Sequence, residues 1–213
     1  MSQAHYFSQD VPPLEPSELR PVDFRVLGHA GVQLVGAAGV FSHGKLDLGT
    51  KVLLRTLARL GPSYGLPAEP GALLLDLGCG WGPLALTMAA LRPTARVVAV
   101  DTNPRALALT KLNAANLGLD NVEVAAPADA TALTGIVRLW SNPPIRIGKA
   151  ALHELLTTWL DRLAPGGAAE LVVGRNLGAD PLAQWLGSPG GGARGVTRRG
   201  SAKGYRVLSV TPS

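Results

Sequence analysis

A glycine-rich turn between an apolar run and a helical segment constrains the fold of this 213-residue chain more than any other feature. The turn reads Asp-Leu-Gly-Cys-Gly-Trp-Gly over residues 76–82. The apolar run at 72–75 predicts a short buried strand, and residues 82–91 predict a helix. Gly78 and Gly80 allow a sharp backbone turn and a close approach to a ligand, which a side chain would obstruct. A ligand site is therefore expected where this strand ends.

Apolar runs and helical segments alternate along the chain around that turn. The predicted strands lie at residues 72–75, 96–100, 122–125, 137–140, 170–173 and 205–210. The predicted helices lie at residues 47–60, 82–91, 104–117, 149–163 and 180–186, with a glycine-rich loop at 187–195. Strands that are buried on both faces and separated by helices predict a doubly wound α/β fold with a parallel sheet. Such sheets bind ligands at the carboxyl ends of their strands.

The N-terminal part of the sequence has a different pattern. Residues 1–21 are polar and rich in proline, which is typical of an extended arm. Residues 24–41 alternate weakly, with glycines between the apolar residues, and predict a short hairpin. We expect a single domain over residues 1–213, with the arm and β-hairpin extension at 1–45 and the α/β core at 46–213.

Composition narrows the class of protein. Hydrophobic residues make up 46% of the chain and charged residues 16%, which excludes a disordered chain. One cysteine excludes an internal disulfide, and His5, His29 and His43 lack metal-ligand spacing, so no metal is expected. Because we find neither a signal-like start nor about 20 consecutive apolar residues, we expect a soluble, cytoplasmic protein with no membrane contact. The net charge of +5 fits a mildly basic enzyme or a nucleic-acid partner.

Two acidic residues at predicted strand ends narrow the ligand. Asp76 lies just before the glycines, where a dinucleotide site would read G-x-G-x-x-G and hold a pyrophosphate. A carboxylate at that place would repel a pyrophosphate, but it can receive the ammonium group of an amino acid. Asp101 ends the next strand, where it can accept hydrogen bonds from both hydroxyls of a ribose. Together the two acids predict a nucleoside that carries an amino acid and no phosphate, which describes S-adenosylmethionine.

Two other residues of this region have their own predicted roles. Asp129 follows the third strand and either hydrogen-bonds the adenine amine or caps a helix at 130–133. Cys79 is expected to contribute its backbone amide to the cofactor site and to fit there because its side chain is small. A nucleophilic thiol would need a partner base, which the local sequence does not show.

A proline-rich turn, Asn142-Pro143-Pro144-Ile145, ends the fourth strand of the core. The Asn142 side-chain oxygen and the Pro143 carbonyl can both accept N–H bonds from an exocyclic amine, whose lone pair is otherwise delocalised into its ring. Prolines lack an N–H, so this turn is stiff and offers acceptors without competing donors. The predicted catalysis is positional and electrostatic, with the amine held in line with the methyl group. Asn142, Pro143 and Pro144 are the predicted catalytic residues.

With these motifs the sequence resembles class I methyltransferases of the MTS (small methyltransferase) type, in particular the catalytic domains of bacterial enzymes that methylate guanine N2 in small-subunit ribosomal RNA. The similar segments are His-Tyr-Phe-Ser at 5–8, Gly-Val-Phe-Ser at 39–42, Gly-Lys-Leu-Asp-Leu-Gly-Thr at 44–50, the turn at 76–82, residues 142–149, His153, and residues 204–208. The resemblance implies a mostly parallel seven-stranded sheet with a small N-terminal β extension. It also implies that residues 46–50 lie near the methionine end of the cofactor.

The residues and the resemblance together give a set of expected contacts. The expected cofactor-binding residues are Thr50, Asp76, Gly78, Cys79, Gly80, Asp101, Thr102, Asp129 and Asn142. The expected substrate-binding residues are Ile145, Arg146 and Lys149. Many amine methyltransferases have Phe or Tyr where this chain has Ile145, which gives apolar contact to a base but no π-stacking.

Basic residues near the turn and in the C-terminal segment fit either contact with RNA phosphates or a solvated face. The C-terminal group is Arg194, Arg198, Arg199, Lys203 and Arg206. We expect a methyltransferase acting on a guanine amine in RNA, with ribosomal RNA as partner. A protein glutamine-amide methyltransferase and a non-catalytic nucleic-acid-binding relative are the alternatives.

Overall fold

The computed structural model describes residues 14–25, 32–40 and 45–212. The predicted arm before residue 14, the middle of the predicted hairpin, His5, His29 and His43 lie outside the described residues. Two short strands, β1 (Arg20–Val22) and β2 (Leu34–Gly36), pair antiparallel in a small sheet. This sheet is the expected N-terminal β extension. Its first strand begins in the last two residues of the predicted arm, and not after residue 24 as the hairpin pattern indicated.

The remaining elements form an α/β unit with one seven-stranded sheet. Its strands are β3 (Leu73–Leu77), β4 (Arg96–Val100), β5 (Val122–Ala125), β6 (Ile136–Ser141), β7 (Leu163–Gly174), β8 (Gly195–Ala202) and β9 (Tyr205–Thr211). The helices are α1 (Leu48–Ala58), α2 (Pro83–Leu91), α3 (Pro104–Leu117), α4 (Lys149–Leu160) and α5 (Ala179–Gly187).

The strand order is β5-β4-β3-β6-β7-β9-β8. Strands β3 to β7 pair in parallel, whereas β9 is antiparallel to both β7 and β8. The prediction of a doubly wound, mostly parallel seven-stranded sheet is confirmed. From β3 the chain proceeds first toward β5 and then returns to β6 on the other side. This reversal opens a crevice at the carboxyl ends of β3 and β6, which is where ligands of such sheets bind.

Two apolar clusters, one on each face of the sheet, form the core. Residues of α1, α2 and α3 pack in one cluster, and residues of α4 and α5 pack in the other. Neighbouring residues of β3 divide between them, since Leu74 belongs to the first cluster and Leu75 to the second. This division follows from the alternation of side chains along a strand. None of the helices in the described ranges is long and apolar enough to cross a membrane.

Two elements differ from the sequence prediction. Strand β8, with the sequence Gly-Val-Thr-Arg-Arg-Gly-Ser-Ala, was not predicted because it is an edge strand with mostly exposed side chains and no apolar alternation. Strand β7 begins at Leu163, seven residues before its predicted start at 170, and α4 ends at Leu160, before the predicted helix end at 163. The early part of β7 pairs with β6 across a register shift, which a local sequence pattern does not encode.

Side chains of α3 attach the small N-terminal sheet to the larger unit. The Asn113 side chain accepts a hydrogen bond from the Val35 amide at 2.9 Å and donates one to the Val35 carbonyl at 2.9 Å. The Arg105 guanidinium pairs with the Glu18 carboxylate at 2.7 Å. Asn103 donates from its side chain to the Gly39 carbonyl at 2.9 Å. These contacts place residues 39 and 40 beside the carboxyl end of the sheet.

Candidate active site

A cavity of about 410 Å³ lies at the carboxyl ends of β3, β4 and β6. The predicted site residues that line it are Thr50, Asp76, Gly78, Cys79, Gly80, Asp101, Thr102, Asn142, Pro143 and Pro144. Gly39 and Val40 form a wall of the cavity that the sequence analysis did not anticipate. The local sequence before α1 gives no signal for this wall, because it depends on the attachment to α3.

The glycine turn leaves room where a side chain would otherwise stand. Gly78 and Gly80 have φ angles of +75° and +59°, which glycine adopts without strain. A Cβ atom at either position would meet no other atom within 4 Å, so both face open space. The Gly78 and Cys79 amides both donate to the Val100 carbonyl, at 2.8 and 3.1 Å. The turn is thereby tied to the neighbouring strand β4.

Cys79 differs from its predicted role in one respect. Its amide is engaged by Val100, so that N–H is used inside the protein and is not presented to a ligand. Its side chain is buried, and burial together with the nearby Asp76 and Asp101 carboxylates raises the pKa of the thiol well above its ordinary value. The thiol is therefore neutral at physiological pH, which agrees with a packing role and not with nucleophilic chemistry.

Asp76 is a buried acid with an unused acceptor. The residue is 1% exposed, and its Oδ2 accepts a hydrogen bond from the Ala85 amide at 2.9 Å. Its Oδ1 is buried without a partner among the described residues. Burial, opposed by the Ala85 hydrogen bond and reinforced by Asp101, raises the pKa of Asp76 from 3.8 to about 7. A cationic hydrogen-bond donor in the cavity would satisfy both the unpaired oxygen and the buried charge.

Asp101 follows the last residue of β4 and is held by backbone donors. Its Oδ2 accepts from the Gly80 amide at 3.0 Å, and its Oδ1 accepts from the Asn103 amide at 2.9 Å. Each carboxylate oxygen has further acceptor capacity, so both can also receive hydroxyl groups from a ligand. Thr102 is exposed at the cavity mouth.

The proline-rich turn is joined to the glycine turn through the sheet. The Ser141 hydroxyl, at the end of β6, donates to the Leu77 carbonyl at 2.7 Å. The Pro143 carbonyl accepts from the Ile145 amide at 2.8 Å and retains a second lone pair. Asn142 and Pro143 therefore face the same cavity as Asp76, from the adjacent strand.

For Asp47, the sequence predicts the start of a helix, and the family resemblance implies a place near the methionine end of the cofactor. The structure adds a contact with Asn142 that neither of them predicts. Asp47 Oδ2 caps α1 by accepting from the Thr50 amide at 3.1 Å, and it also accepts from the Asn142 side-chain amide at 2.8 Å. The Thr50 hydroxyl lies 3.2 Å from the same Asn142 nitrogen. Because a carboxylate only accepts hydrogen bonds, the Asn142 NH₂ faces Asp47, and its Oδ1 is the atom left for a ligand. No described residue donates to that oxygen.

Gly49 makes this arrangement sterically possible. A Cβ atom there would lie 2.9 Å from Asp47 Oδ2 and 2.9 Å from Tyr205 Cε1. Both distances are too short for real contacts, so a side chain at this position would displace the capping carboxylate or the ring. The glycine at the start of α1 is thus explained by the close contact of α1 with its capping carboxylate and with β9.

Four predicted site residues do not reach the cavity. Asp129 is exposed in a turn, with no helix at 130–133, and Pro127 lines the cavity instead. Ile145 packs partly buried against the core cluster of α4 and α5. Arg146 and Lys149 are exposed beyond the turn and do not line the cavity.

Most of the C-terminal basic residues have partners within the chain. Arg194 is buried and pairs with Asp161, Arg206 pairs with Asp180, and Arg199 lies 3.7 Å from Glu170. These three pairs correct the expectation that the whole group faces phosphates or solvent. His153 stacks on Trp185 at 3.5 Å between ring centroids, so its ring packs against another side chain of this chain.

The sheet order, the glycine turn and the acids at the ends of β3 and β4 define a Rossmann-like domain of the class I methyltransferase type. A family model named "Methyltransferase small domain" matches residues 31–207. The chain belongs to this family, as its sequence motifs predicted.

Three comparisons place the chain within the family. It is 34% identical over 185 residues to "Ribosomal RNA small subunit methyltransferase C" of Pseudomonas putida, an alignment that covers 84% of this chain and 51% of the relative. It is 28% identical over 178 residues to the uncharacterized protein YbxB of Bacillus subtilis, covering 82% and 83% of the two chains. The solved structure of the T. thermophilus 16S rRNA N2 G1207 methyltransferase, in complex with AdoMet and guanosine, matches with a TM-score of 0.71 and 29% identity, covering 96% of this chain and 53% of that one.

The chain spans about half the length of the ribosomal RNA methyltransferases that it matches. The residues of this chain that match the family model, 31–207, include the glycine turn and the proline-rich turn described above.

Proposed function

We propose that this chain transfers a methyl group from S-adenosylmethionine to the exocyclic amine of a guanine in ribosomal RNA. The observation that supports this best is the anchoring of the Asn142 side-chain nitrogen by Asp47 and Thr50. That anchoring leaves a side-chain oxygen as acceptor at the end of β6, beside a cavity with two acids and two open glycines. A ribosomal RNA acceptor would place the chain in the cytoplasm.

The residues of the cavity fit S-adenosylmethionine. The unpaired Asp76 Oδ1 suits an ammonium group, and both Asp101 oxygens have acceptor capacity for ribose hydroxyls. The open space at Gly78 and Gly80 lets a ligand approach the backbone. S-adenosylmethionine, when bound, supplies an electrophilic methyl group on a sulfonium sulfur. The T. thermophilus relative is described in complex with AdoMet, which supports the same assignment for this chain.

The proline-rich turn offers hydrogen-bond acceptors to the exocyclic amine that receives the methyl group. Asn142 Oδ1 and the second lone pair of the Pro143 carbonyl can each accept one N–H bond, which favours a tetrahedral nitrogen with its lone pair free. Asp47 and Thr50 fix the Asn142 amide, so the geometry is prepared before the substrate binds. The N–H proton becomes acidic once the nitrogen is methylated, and it then passes to water.

The assignment of the acceptor to ribosomal RNA rests on the relatives. The P. putida relative is named a small-subunit ribosomal RNA methyltransferase, and the T. thermophilus structure holds guanosine. Arg146 and Lys149 are exposed just beyond the proline-rich turn, and neither has an ion pair among the described residues. Cations at this place suit phosphates around a methylated nucleotide.

The proposal is tested by offering labelled S-adenosylmethionine to three acceptors. These are unmodified small ribosomal subunits, naked ribosomal RNA, and release factors as the protein acceptors. We expect label in a guanine of the RNA with the wild-type chain. Asn142→Ala is expected to bind cofactor in calorimetry but to transfer little methyl. Label that appears only in protein would instead favour the glutamine-amide methyltransferase. Retained turnover in Asn142→Ala would refute the catalytic role of that residue.

A further inference from the structure

A second cavity, of about 280 Å³, lies next to α1 and has no role in the proposed reaction. Its floor is apolar and includes the buried Leu46 and Leu54. Ligand pockets in proteins occupy roughly 300–1,000 Å³, so this cavity is near the lower end and suits a group of about one nucleotide.

Three cations stand at this cavity. Arg25, Lys51 and Arg55 line it, and no acidic residue of the described ranges does. None of the three has an ion pair among the residues that the structure describes. Lys51 and Arg55 are four residues apart on α1, so their side chains lie on one face of the helix. This charge arrangement suits an anionic ligand that contacts two or three cations at once.

Two aromatic rings complete the cavity. Phe24 and Tyr64 both line it, and each is only partly buried. Tyr64 has a φ of +54°, an unfavourable backbone conformation for an aromatic residue, and glycine would adopt it without strain. Phe24 packs edge-on against Trp81, with ring centroids 5.6 Å apart, and Trp81 lines the first cavity. Rings together with cations suit a ligand that has both a planar base and a phosphate.

Helix α1 and the two residues before it connect the two cavities. Asp47 and Thr50, which hold Asn142, line the first cavity, while Leu46 and Lys51 line the second. We propose that the second cavity binds a nucleotide of the RNA substrate that neighbours the methylated guanine. Its base lies between Phe24 and Tyr64, and its phosphates lie on Arg25, Lys51 and Arg55. This inference rests on the proposed function, since it assumes an RNA acceptor.

A matched pair of double variants tests the site. Lys51→Gln with Arg55→Gln removes two cations of the cavity, while Lys111→Gln with Arg175→Gln removes two exposed cations that do not line it. Binding of a fluorescein-labelled single-stranded RNA is followed by anisotropy across a salt series. For the first variant, we expect the slope of log affinity against log salt to become shallower by about 1.4, the effect of two phosphate contacts to a single strand. The control slope is expected to match the wild type.

A ring variant separates stacking from charge. Phe24→Leu keeps an apolar side chain against Trp81 and removes the ring, so we expect at least about fivefold weaker RNA binding with an unchanged salt slope. In methyl-transfer assays both test variants are expected to raise KM for RNA and to leave kcat and the calorimetric cofactor affinity unchanged.

The possible results distinguish the two proposals. If wild type methylates ribosomal RNA and the Lys51/Arg55 variant behaves like its control, the second site is refuted and the proposed function stands. If wild type binds cofactor but methylates no RNA, the proposed function fails, and the anisotropy comparison still reports whether the cavity binds RNA. Equal losses in both double variants would indicate diffuse attraction and refute the site.

Discussion

The Asp47 carboxylate accepts a hydrogen bond from the Asn142 side-chain amide at 2.8 Å and joins the first turn of α1 to the end of β6. The same carboxylate oxygen caps α1 through the Thr50 amide. One oxygen thus fixes both the start of a helix and the orientation of the proposed catalytic amide. Asp47 is a positioning residue in this arrangement, because it acts through Asn142.

Asp47→Ser should separate these two roles. Serine caps helices about as well as aspartate, but it is too short to reach Asn142. We expect kcat to fall about tenfold to a hundredfold because the amide is free to rotate, while cofactor affinity and Tm change little. Asp47→Asn keeps a carbonyl acceptor and should retain most of the activity. Kinetics and calorimetry on both variants check this, and a purely structural role would instead lower Tm in Asp47→Ser.

Cofactor affinity should rise with pH between 6 and 7. Burial raises the pKa of Asp76 to about 7 in the empty cavity, so the carboxyl is mostly protonated at pH 6. Only the ionised form gains from a bound ammonium group, which predicts about fivefold tighter binding at pH 7 than at pH 6. Calorimetry at the two pH values measures this difference. Asp76→Asn should bind weakly at both, whereas Asp120→Asn, which alters an exposed carboxyl outside the cavity, should behave like wild type.

Glu170→Gln should stabilise the protein at alkaline pH. Glu170 is 4% exposed, its Oε2 is unpartnered among the described residues, and burial raises its pKa despite the Ser209 hydrogen bond and the nearby Arg199. A raised folded-state pKa means that stability is present at low pH and is lost as pH rises from the ordinary glutamate value through the raised one.

We expect the Gln variant to lack this loss and to be about 1 kcal/mol more stable at pH 8, which is about 2–4 °C in Tm. Thermal unfolding at pH 5 and pH 8 measures it. Glu123→Gln, which affects an exposed pair with Arg96, is the matched control and should change Tm little at either pH. A lower Tm at pH 8 in Glu170→Gln would contradict this account.

Asn113→Ala should loosen the small N-terminal sheet. The change removes two hydrogen bonds to Val35 and one to the Trp81 carbonyl, which we expect to cost about 2–4 kcal/mol of the free energy of unfolding. Cofactor affinity should fall as well, because Gly39 and Val40 belong to the cavity wall. Urea denaturation and calorimetry measure both effects. Asn116→Ala, an exposed site on the same helix, should change stability by no more than about 0.5 kcal/mol.

Local patterns predicted the central strands well because those strands are buried on both faces. Strands β4 and β5 lie where the apolar runs predicted them, and β3 extends two residues past its predicted end. Edge strand β8 has little apolar signal, and the first strand of the extension is short and pairs with β2, which is itself held by contacts with α3. The division of the chain into an extension at 1–45 and a core at 46–213 stays a prediction.

The sequence predicted those site residues whose own chemistry and strand position indicate a role. It did not predict contacts between residues that are far apart in the chain. Asp76, Asp101 and Asn142 end neighbouring strands, so strand positions alone bring them together. The contact between Asp47 and Asn142 joins residues 95 positions apart, and no local pattern encodes it. Asp129 was placed by strand position too, but the turn that follows β5 directs it outward. The role of each site residue stays a prediction until it is measured.

The wall formed by Gly39 and Val40 also sets the order in which the cavity can be completed during synthesis. Residue 39 is translated well before Asn103 and α3, the elements that hold it. At translation rates of about 5–20 residues per second, this delay is on the order of several seconds. Through that interval the wall has no surface to dock on, and the nascent chain cannot enclose a ligand. Retention of the cofactor is therefore a late event in the biogenesis of this protein, because Asn142 and Pro143, which also line the cavity, are made later still.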